Sequence, residues 1–144
     1  MMLDDGEWER DFPMHEQFED FSGKLRAFTV SCYDTGLGYT VMAMEDGTEC
    51  DGFLFRSYSE TSPSSALGHL RDKIRRSLAT RHLSGSRGGP DMLHDTLRGR
   101  ITSDGDRGVV LVVDGKPLDM DDLARILESW EGWEFELCIK SALD

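Results

Sequence analysis

The sequence lacks the motifs that identify most enzymes, metalloproteins and nucleotide-binding proteins. It contains no CxxC, no HExxH, no GxSxG and no phosphate-binding glycine loop, each of which has a defined chemical role. No apolar run approaches the roughly 18 residues of a membrane-spanning helix. The N-terminus has no basic and apolar leader. We therefore expect no cofactor, no metal, no membrane association and a cytoplasmic location.

Cysteine is scarce and unpaired in sequence. The three cysteines, Cys32, Cys50 and Cys138, lie far apart. An odd number without close spacing is typical of a reducing compartment, where free thiols act as small core residues.

Basic residues are also scarce, with 16 Lys and Arg against 28 Asp and Glu, a formal charge of -12. This balance argues against direct nucleic-acid binding, which needs a basic surface. The charge is segregated: residues 1–20 hold eight acids and one base, residues 65–100 eight bases and three acids, and residues 101–144 eleven acids and four bases. Such segregation predicts a charge-complementary protein partner.

Residues 1–22 are predicted to form an acidic arm that contains aromatic side chains. Pro13 interrupts any continuous helix, although residues 14–21 suit a short one. The arm either packs its aromatics onto the edge of the domain or orders on a basic partner. Its candidate binding residues are Trp8, Glu9, Asp11, Phe12 and Phe18.

A helix is predicted to begin at Ser62-Pro63, because Ser is a good N-cap and Pro suits the first helical position. The spacing of Leu67, Leu70, Ile74 and Leu78 gives it one apolar stripe. The basic residues either form a solvated face neutralised by acids elsewhere in the chain or bind a carboxylate-rich partner. These candidate binding residues are Arg71, Lys73, Arg75, Arg76 and Arg81.

The remaining segments predict strands and one further helix. Alternation and turn residues give strands over residues 24–33, 39–45, 52–58, 95–102, 109–113 and 133–140. A loop is expected over residues 84–90. A second helix begins at Asp119, with Asp122 in a capping-box position.

The predicted fold class is α+β, with a mainly antiparallel sheet of about six strands and two helices on one face. The predicted order is βββα-ββα-β. Residues 23–144 are expected to form a single domain that follows the arm.

Two stretches of the C-terminal half carry a resemblance. The sequence reads VDGKPL at 113–118 and LESWEGWEF at 127–135, and residues 66–83 are similar in character. This pattern resembles a group of small bacterial proteins of unknown function. The resemblance implies a bacterial single-domain protein and no particular activity.

These observations favour a non-enzymatic protein-binding module that acts through its charge-segregated surfaces, with an inhibitor or immunity role as its narrower form. One alternative is a nucleic-acid mimic that blocks a DNA- or RNA-binding protein. Another is a small hydrolase-type enzyme that uses His69 or His94 with nearby carboxylates. The oligomeric state is left open.

Overall fold

The chain folds into two compact units. The computed structural model describes residues 8–47, 52–86 and 89–143, with the side chain of residue 86 excepted. Unit 1 comprises residues 1–80 and 141–144, and unit 2 comprises residues 81–140. The domain predicted over residues 23–144 includes residues of both units. Residues 1–7 of the predicted arm and Cys50 lie outside the described residues.

Nine strands and two α-helices form within the described residues. They are β1 (Met14–Glu19), β2 (Leu25–Asp34), β3 (Tyr39–Glu45), β4 (Leu54–Ser59), α1 (Pro63–Leu78), β5 (Leu83–Ser86), β6 (Gly89–Met92), β7 (Arg100–Asp104), β8 (Gly108–Val113), β9 (Lys116–Asp119) and α2 (Met120–Leu127). In this part of the chain, no helix combines the length and apolar character needed to cross a bilayer.

The predicted α+β class is confirmed, but the single sheet of about six strands and the order βββα-ββα-β are wrong. The strands form three antiparallel sheets of four, two and three strands. The difference has a local origin, because the sequence pattern missed β1, the β5–β6 hairpin and β9. β5, β6 and β9 have four residues each, which is too short a run of alternation to be recognised.

Unit 1 packs α1 against a sheet with the order β1-β2-β3-β4. Ser62 caps the helix by accepting a hydrogen bond from Ser65 N at 3.1 Å, and Pro63 occupies the first turn as predicted. The predicted apolar stripe is buried against β2 and β3. The shared core is Phe18, Phe28, Val30, Val41, Ala43, Ala66, Leu67, Leu70, Ile74 and Leu78.

Residues 14–19, expected within a short helix, form the edge strand β1. Met14 pairs with Val30 and Phe18 pairs with Arg26 in an antiparallel register. Burial alternates along the strand, which is the period of a sheet rather than of a helix. Residues 14–19 of the predicted arm are therefore part of the sheet, and their stability depends on the neighbouring strand β2.

Unit 2 combines the β5–β6 hairpin, the sheet β7-β8-β9 and α2. Asp114 and Gly115 both have positive φ, at 54° and 74°, so the predicted Asp-Gly turn joins β8 to β9. The Asp114 carboxylate also accepts hydrogen bonds from His82 N and Leu83 N at the start of β5. Asp119 and Asp122 form the predicted capping box of α2. The core cluster of this unit contains Leu83, Val113, Leu118 and Ile126.

The strand predicted over residues 133–140 does not join any sheet in the described chain. Every residue of this stretch is exposed to solvent. The predicted half-buried face is therefore wrong in this structure. The alternation of apolar and polar residues that prompted the prediction is present, but no sheet of the same chain covers the apolar side.

The core of unit 1 gives the first testable prediction. Leu70→Ala should lower the free energy of unfolding by about 2–5 kcal/mol, because a fully buried leucine leaves a cavity when truncated. Urea denaturation followed by tryptophan fluorescence measures the change. Leu37→Ala is the matched control, since Leu37 is 84% exposed and its truncation should cost less than about 0.5 kcal/mol. Equal effects of the two substitutions would contradict the assigned core.

Candidate functional site

The basic residues of α1 fall on different sides of the helix. The apolar stripe faces the sheet, so residues displaced around the helix from it face solvent or the flanks. His69, Lys73 and Arg76 are spaced i, i+4 and i+7, which places them along one side of the helix, next to β4. Arg75 lies between this side and the flank beside β1. We call Lys73, Arg75 and Arg76 the cationic face.

Arg71 is not part of the cationic face, because its charge is already paired. Its Nε lies 2.9 Å from Glu16 Oε1 and 3.3 Å from Glu16 Oε2, and its Nη2 also donates to Oε1. Such two-pronged pairs are the strong form of the arginine–carboxylate contact. Glu16 belongs to β1, so the acidic N-terminal region neutralises one flank of the basic helix. Neutralisation of the basic residues by acids elsewhere in the chain was one of the two predicted alternatives, and for Arg71 that acid is Glu16.

Phe18 and Arg75 connect the same two elements. The Arg75 guanidinium carbon lies 5.7 Å from the centroid of the Phe18 ring, which is within the range of a cation–π contact. Phe18 is buried in the core of unit 1, so its ring is not available to a partner. Arg75 also pairs with Asp72 at 3.6 Å, and both of those side chains are largely exposed.

Lys73 is held at the opposite flank, beside β4 and the end of the chain. Its Nζ donates to the carbonyl oxygens of Arg56 at 2.8 Å and Ala142 at 2.7 Å. These two hydrogen bonds orient the Lys73 side chain towards β4 and residue 142. Arg76 donates through Nε to the carbonyl oxygen of Asp72 within the helix at 3.4 Å.

A shallow cavity of about 510 Å³ opens beside the cationic face. It is lined by Ser57 and Tyr58 of β4 and by residues of the outward side of α1, including His69, Asp72, Lys73 and Arg76. Its charged lining consists of three cations, Lys73, Arg75 and Arg76, and one carboxylate, Asp72. An acidic side chain suits this lining better than an apolar group, because guanidinium groups pair carboxylates through two parallel hydrogen bonds.

Arg81, predicted as part of the same surface, lies in unit 2. Helix α1 ends at Leu78 with Ala79 as its cap. The Arg81 Nε donates to the Leu83 carbonyl oxygen at 2.6 Å, which fixes the start of β5. The helix boundary therefore separates Arg81 from the four other candidate residues.

The candidate residues of the acidic arm do not form one exposed surface. The Trp8 ring packs edge-on against Phe12 and Tyr39, with centroids 6.4 Å and 5.7 Å away. Phe12 in turn packs against the core of unit 1. Glu9 is exposed and Asp11 is half-buried. The aromatic members therefore serve folding, which is the packing interpretation of the arm.

The residues needed for a hydrolase are only partly assembled. Ser57, His69 and Asp72 line the same cavity, but no hydrogen bond connects these three side chains in the structure as described. A nucleophile must lie within hydrogen-bond reach of its base. His94 is exposed. Within the described ranges, no group of three or more potential metal ligands occurs.

A second cluster of charges, buried in unit 1, has a structural role. Arg26 Nε lies 2.9 Å from Asp20 Oδ2, and Arg26 Nη1 lies 2.8 Å from Glu45 Oε2. The Arg26 guanidinium carbon is also 5.2 Å from the centroid of the Phe53 ring. The cluster thus joins the β1–β2 turn, β2, the end of β3 and the approach to β4.

The pKa values of this cluster follow from its hydrogen bonds. Burial of the Asp20 carboxyl opposes its ionisation, but hydrogen bonds from Ser22, Arg26 and Lys24 outweigh burial and hold its pKa well below the usual range. Burial likewise opposes the charge of Arg26, whose pKa is nevertheless raised by Glu45 and Asp20. A charge cluster so fully satisfied stabilises the fold and has no free group to offer a ligand.

Comparison with known proteins divides the chain close to the boundary between the units. Residues 10–79 match a family model described as Domain of unknown function (DUF7686). Residues 82–144 match one described as Domain of unknown function (DUF7713). No curated protein and no solved structure matches the chain. The resemblance to proteins of unknown function is thus confirmed, and their bacterial origin stays a prediction.

The buried cluster gives a pH-dependent prediction. Asp20→Asn should lower the free energy of unfolding near neutral pH by about 1.5–3 kcal/mol, because the amide loses charged hydrogen bonds in a buried site. The folded pKa of Asp20 is depressed, so its ionised form stabilises the protein above the unfolded pKa of about 4 and less as the pH falls below it.

The difference between wild type and Asp20→Asn should therefore shrink between pH about 6 and about 3. Urea titrations at several pH values measure this difference. Glu60→Gln, at an exposed carboxylate, is the control and should leave the free energy of unfolding unchanged at each pH. If the difference in the free energy of unfolding between wild type and Asp20→Asn does not depend on pH, the charge of the Asp20 carboxylate does not stabilise the fold.

Proposed function

We propose that this protein is a non-enzymatic binding module whose cationic face on α1 docks an acidic segment of another protein. The observation that supports it is the position of Lys73, Arg75 and Arg76 around one cavity on the outward side of α1. A cluster of cations is notable in a chain whose formal charge is -12.

Carboxylates of the same chain already contact some of the basic side chains of α1, which reduces the number of cations that a partner can bind. Arg71 is paired with Glu16, and the Arg75 ion pair with Asp72 is solvent-exposed. Exposed pairs of this kind contribute only about 0–1 kcal/mol, so a partner carboxylate displaces Asp72 at little cost. Lys73 is oriented beside the cavity by its hydrogen bonds to the carbonyl oxygens of Arg56 and Ala142.

The overall negative charge makes this surface selective. A highly acidic partner is repelled at long range by the excess of acids, and it is attracted only where its carboxylates meet the cationic face. Electrostatic complementarity of this local kind contributes more to specificity than to raw affinity. The proposed partner therefore presents a short acidic segment on an otherwise mixed surface.

The hydrolase alternative has one observation in its favour, the presence of Ser57, His69 and Asp72 at the same cavity. It requires a serine–histidine hydrogen bond that the described side chains lack. Turnover of an ester substrate by the purified chain, abolished by His69→Ala, would replace the binding proposal with an enzymatic one.

The binding proposal predicts a charge-reversal phenotype. The full-length protein is immobilised and exposed to extract of its host at low salt, and the retained proteins are identified by mass spectrometry. We expect an acidic protein to be retained by wild type and lost with Lys73→Glu/Arg76→Glu. Added salt should release it, because the Debye length falls to about 3 Å at 1 M.

Lys24→Glu/Lys116→Glu is the matched control, since it makes the same charge change at two exposed lysines and should retain the partner. With the purified partner, the cationic-face variant should weaken the Kd at least about tenfold. Equal binding by all three proteins would refute the proposal. If the retained protein is nucleic-acid-binding and survives the Lys73→Glu/Arg76→Glu change, the nucleic-acid mimic becomes the better account.

A further inference from the structure

Residues 133–140, which we call the C-terminal segment, have the alternating sequence pattern of a strand but belong to no sheet among the described residues. The side chains of Trp133, Phe135, Leu137 and Ile139 alternate along it and are 70% to 91% exposed. Within the described chain, residues 134–140 make no hydrogen bond. Backbone groups of an extended strand normally pair with another strand. An apolar stripe of this size on a surface marks an interaction site.

Unit 2 also contains a sheet that lacks a strand. In the order β7-β8-β9, β7 and β9 each have one strand neighbour among the described residues. Ile101 of β7 and Val109 of β8 are both more than 40% exposed. They lie on the same side as Leu111, which packs against the core cluster of this unit. The apolar side of the sheet is therefore incomplete next to β7.

The edge at β9 is a poor acceptor. This strand has four residues, and Pro117 removes one of its backbone N–H donors. It also lies between acidic residues, Asp114 on one side and Asp119, Asp121 and Asp122 on the other. The C-terminal segment carries Glu134 and Glu136 near its start, so its antiparallel addition at β9 would bring like charges together.

The edge at β7 has the complementary charge pattern. Along the chain, β7 runs from Arg98 and Arg100 towards Asp104 and Asp106. The C-terminal segment runs from acidic residues, Glu134 and Glu136, towards Lys140. Opposite charges therefore meet at both ends when the two strands run in the same direction, and like charges meet when the direction is reversed.

Topology favours the same direction. Strands β7 and β9 each pair antiparallel with β8, so they run parallel to each other. A helix that follows β9 and leads into a further strand of the same sheet delivers that strand parallel to β9. In this chain α2 follows β9 and leads towards the C-terminal segment, yet the segment is not seated on its own sheet.

We propose that two copies of this protein exchange their C-terminal segments, each adding as a parallel strand to the open edge of β7 in the other copy. Phe135 then lies beside Ile101, and Leu137 lies beside Ser103. Each copy donates one segment and accepts one, so the contact closes on itself as a two-fold dimer and leaves neither C-terminal segment unpaired. The proposal is independent of the cationic face.

Oligomeric state tests the proposal directly. The full-length protein is measured by sedimentation velocity over a range of concentrations. We expect a dimer whose dissociation constant rises by about a hundredfold or more in Leu137→Glu, because the substitution places a charge in the shared apolar stripe. Leu37→Glu is the matched control, since Leu37 is equally exposed on a turn of unit 1, and it should leave the dimer intact.

A disulfide test fixes the acceptor edge and the direction. Ser103→Cys/Leu137→Cys, made with Cys50→Ser and Cys138→Ser, should give a covalent dimer on oxidation, because the two positions are neighbours on one face. Ser103→Cys/Glu136→Cys should not, since alternate residues of a strand point to opposite faces. Each single cysteine variant serves as a further control.

Three results would overturn the proposal. The first is a monomer at every concentration, and the second is a dimer that Leu137→Glu does not weaken. The third is a disulfide that closes within one chain, because the segment would then belong to its own sheet. Circular dichroism of each variant establishes that the comparison is made between folded proteins.

Discussion

The apolar stripe of α1 is the constraint that organises unit 1. Its leucine and isoleucine side chains form one core with β2 and β3, and this burial fixes the rotation of the helix about its axis. The rotation of the helix sets the direction of each basic side chain. Arg71 reaches the flank beside β1, Lys73 reaches the flank beside β4, and Arg76 faces outward. The distribution of charge on this surface is therefore a consequence of hydrophobic packing.

Neutralisation by acidic neighbours then decides which cations remain available. Glu16 removes Arg71 from the exposed surface, and two carboxylates surround Arg26 where a charge must be buried. Burying an arginine is costly unless its partners are in contact, and this cluster meets that condition. The same acids that give the chain its excess negative charge thus stabilise unit 1, and the cationic face lies outside these two sets of contacts.

Local signals were predictable from the sequence, and long-range pairing was not. The start of α1 at Ser62-Pro63, the bounds of β3 and the capping box of α2 depend on neighbouring residues, and the structure reproduces them. Residues 14–19 were expected within a short helix, because nothing local to them indicates their pairing with β2 or the contact of Glu16 with Arg71, 55 residues away. The sequence likewise named the basic residues of α1 without separating those already paired from those exposed.

The C-terminal segment likewise has a local pattern that can be read from the sequence and a pairing partner that cannot. Alternation of apolar and polar residues specifies a strand, but nothing in the pattern specifies which sheet receives it. Unit 2 has four residues in its buried core cluster, whereas unit 1 has ten, and small cores are hard to stabilise without additional contacts. A strand that supplies Trp133, Phe135, Leu137 and Ile139 would enlarge the smaller core substantially. The unit with the smaller core cluster therefore also carries the exposed apolar residues of the C-terminal segment, and the proposed pairing would bury those residues and enlarge that core.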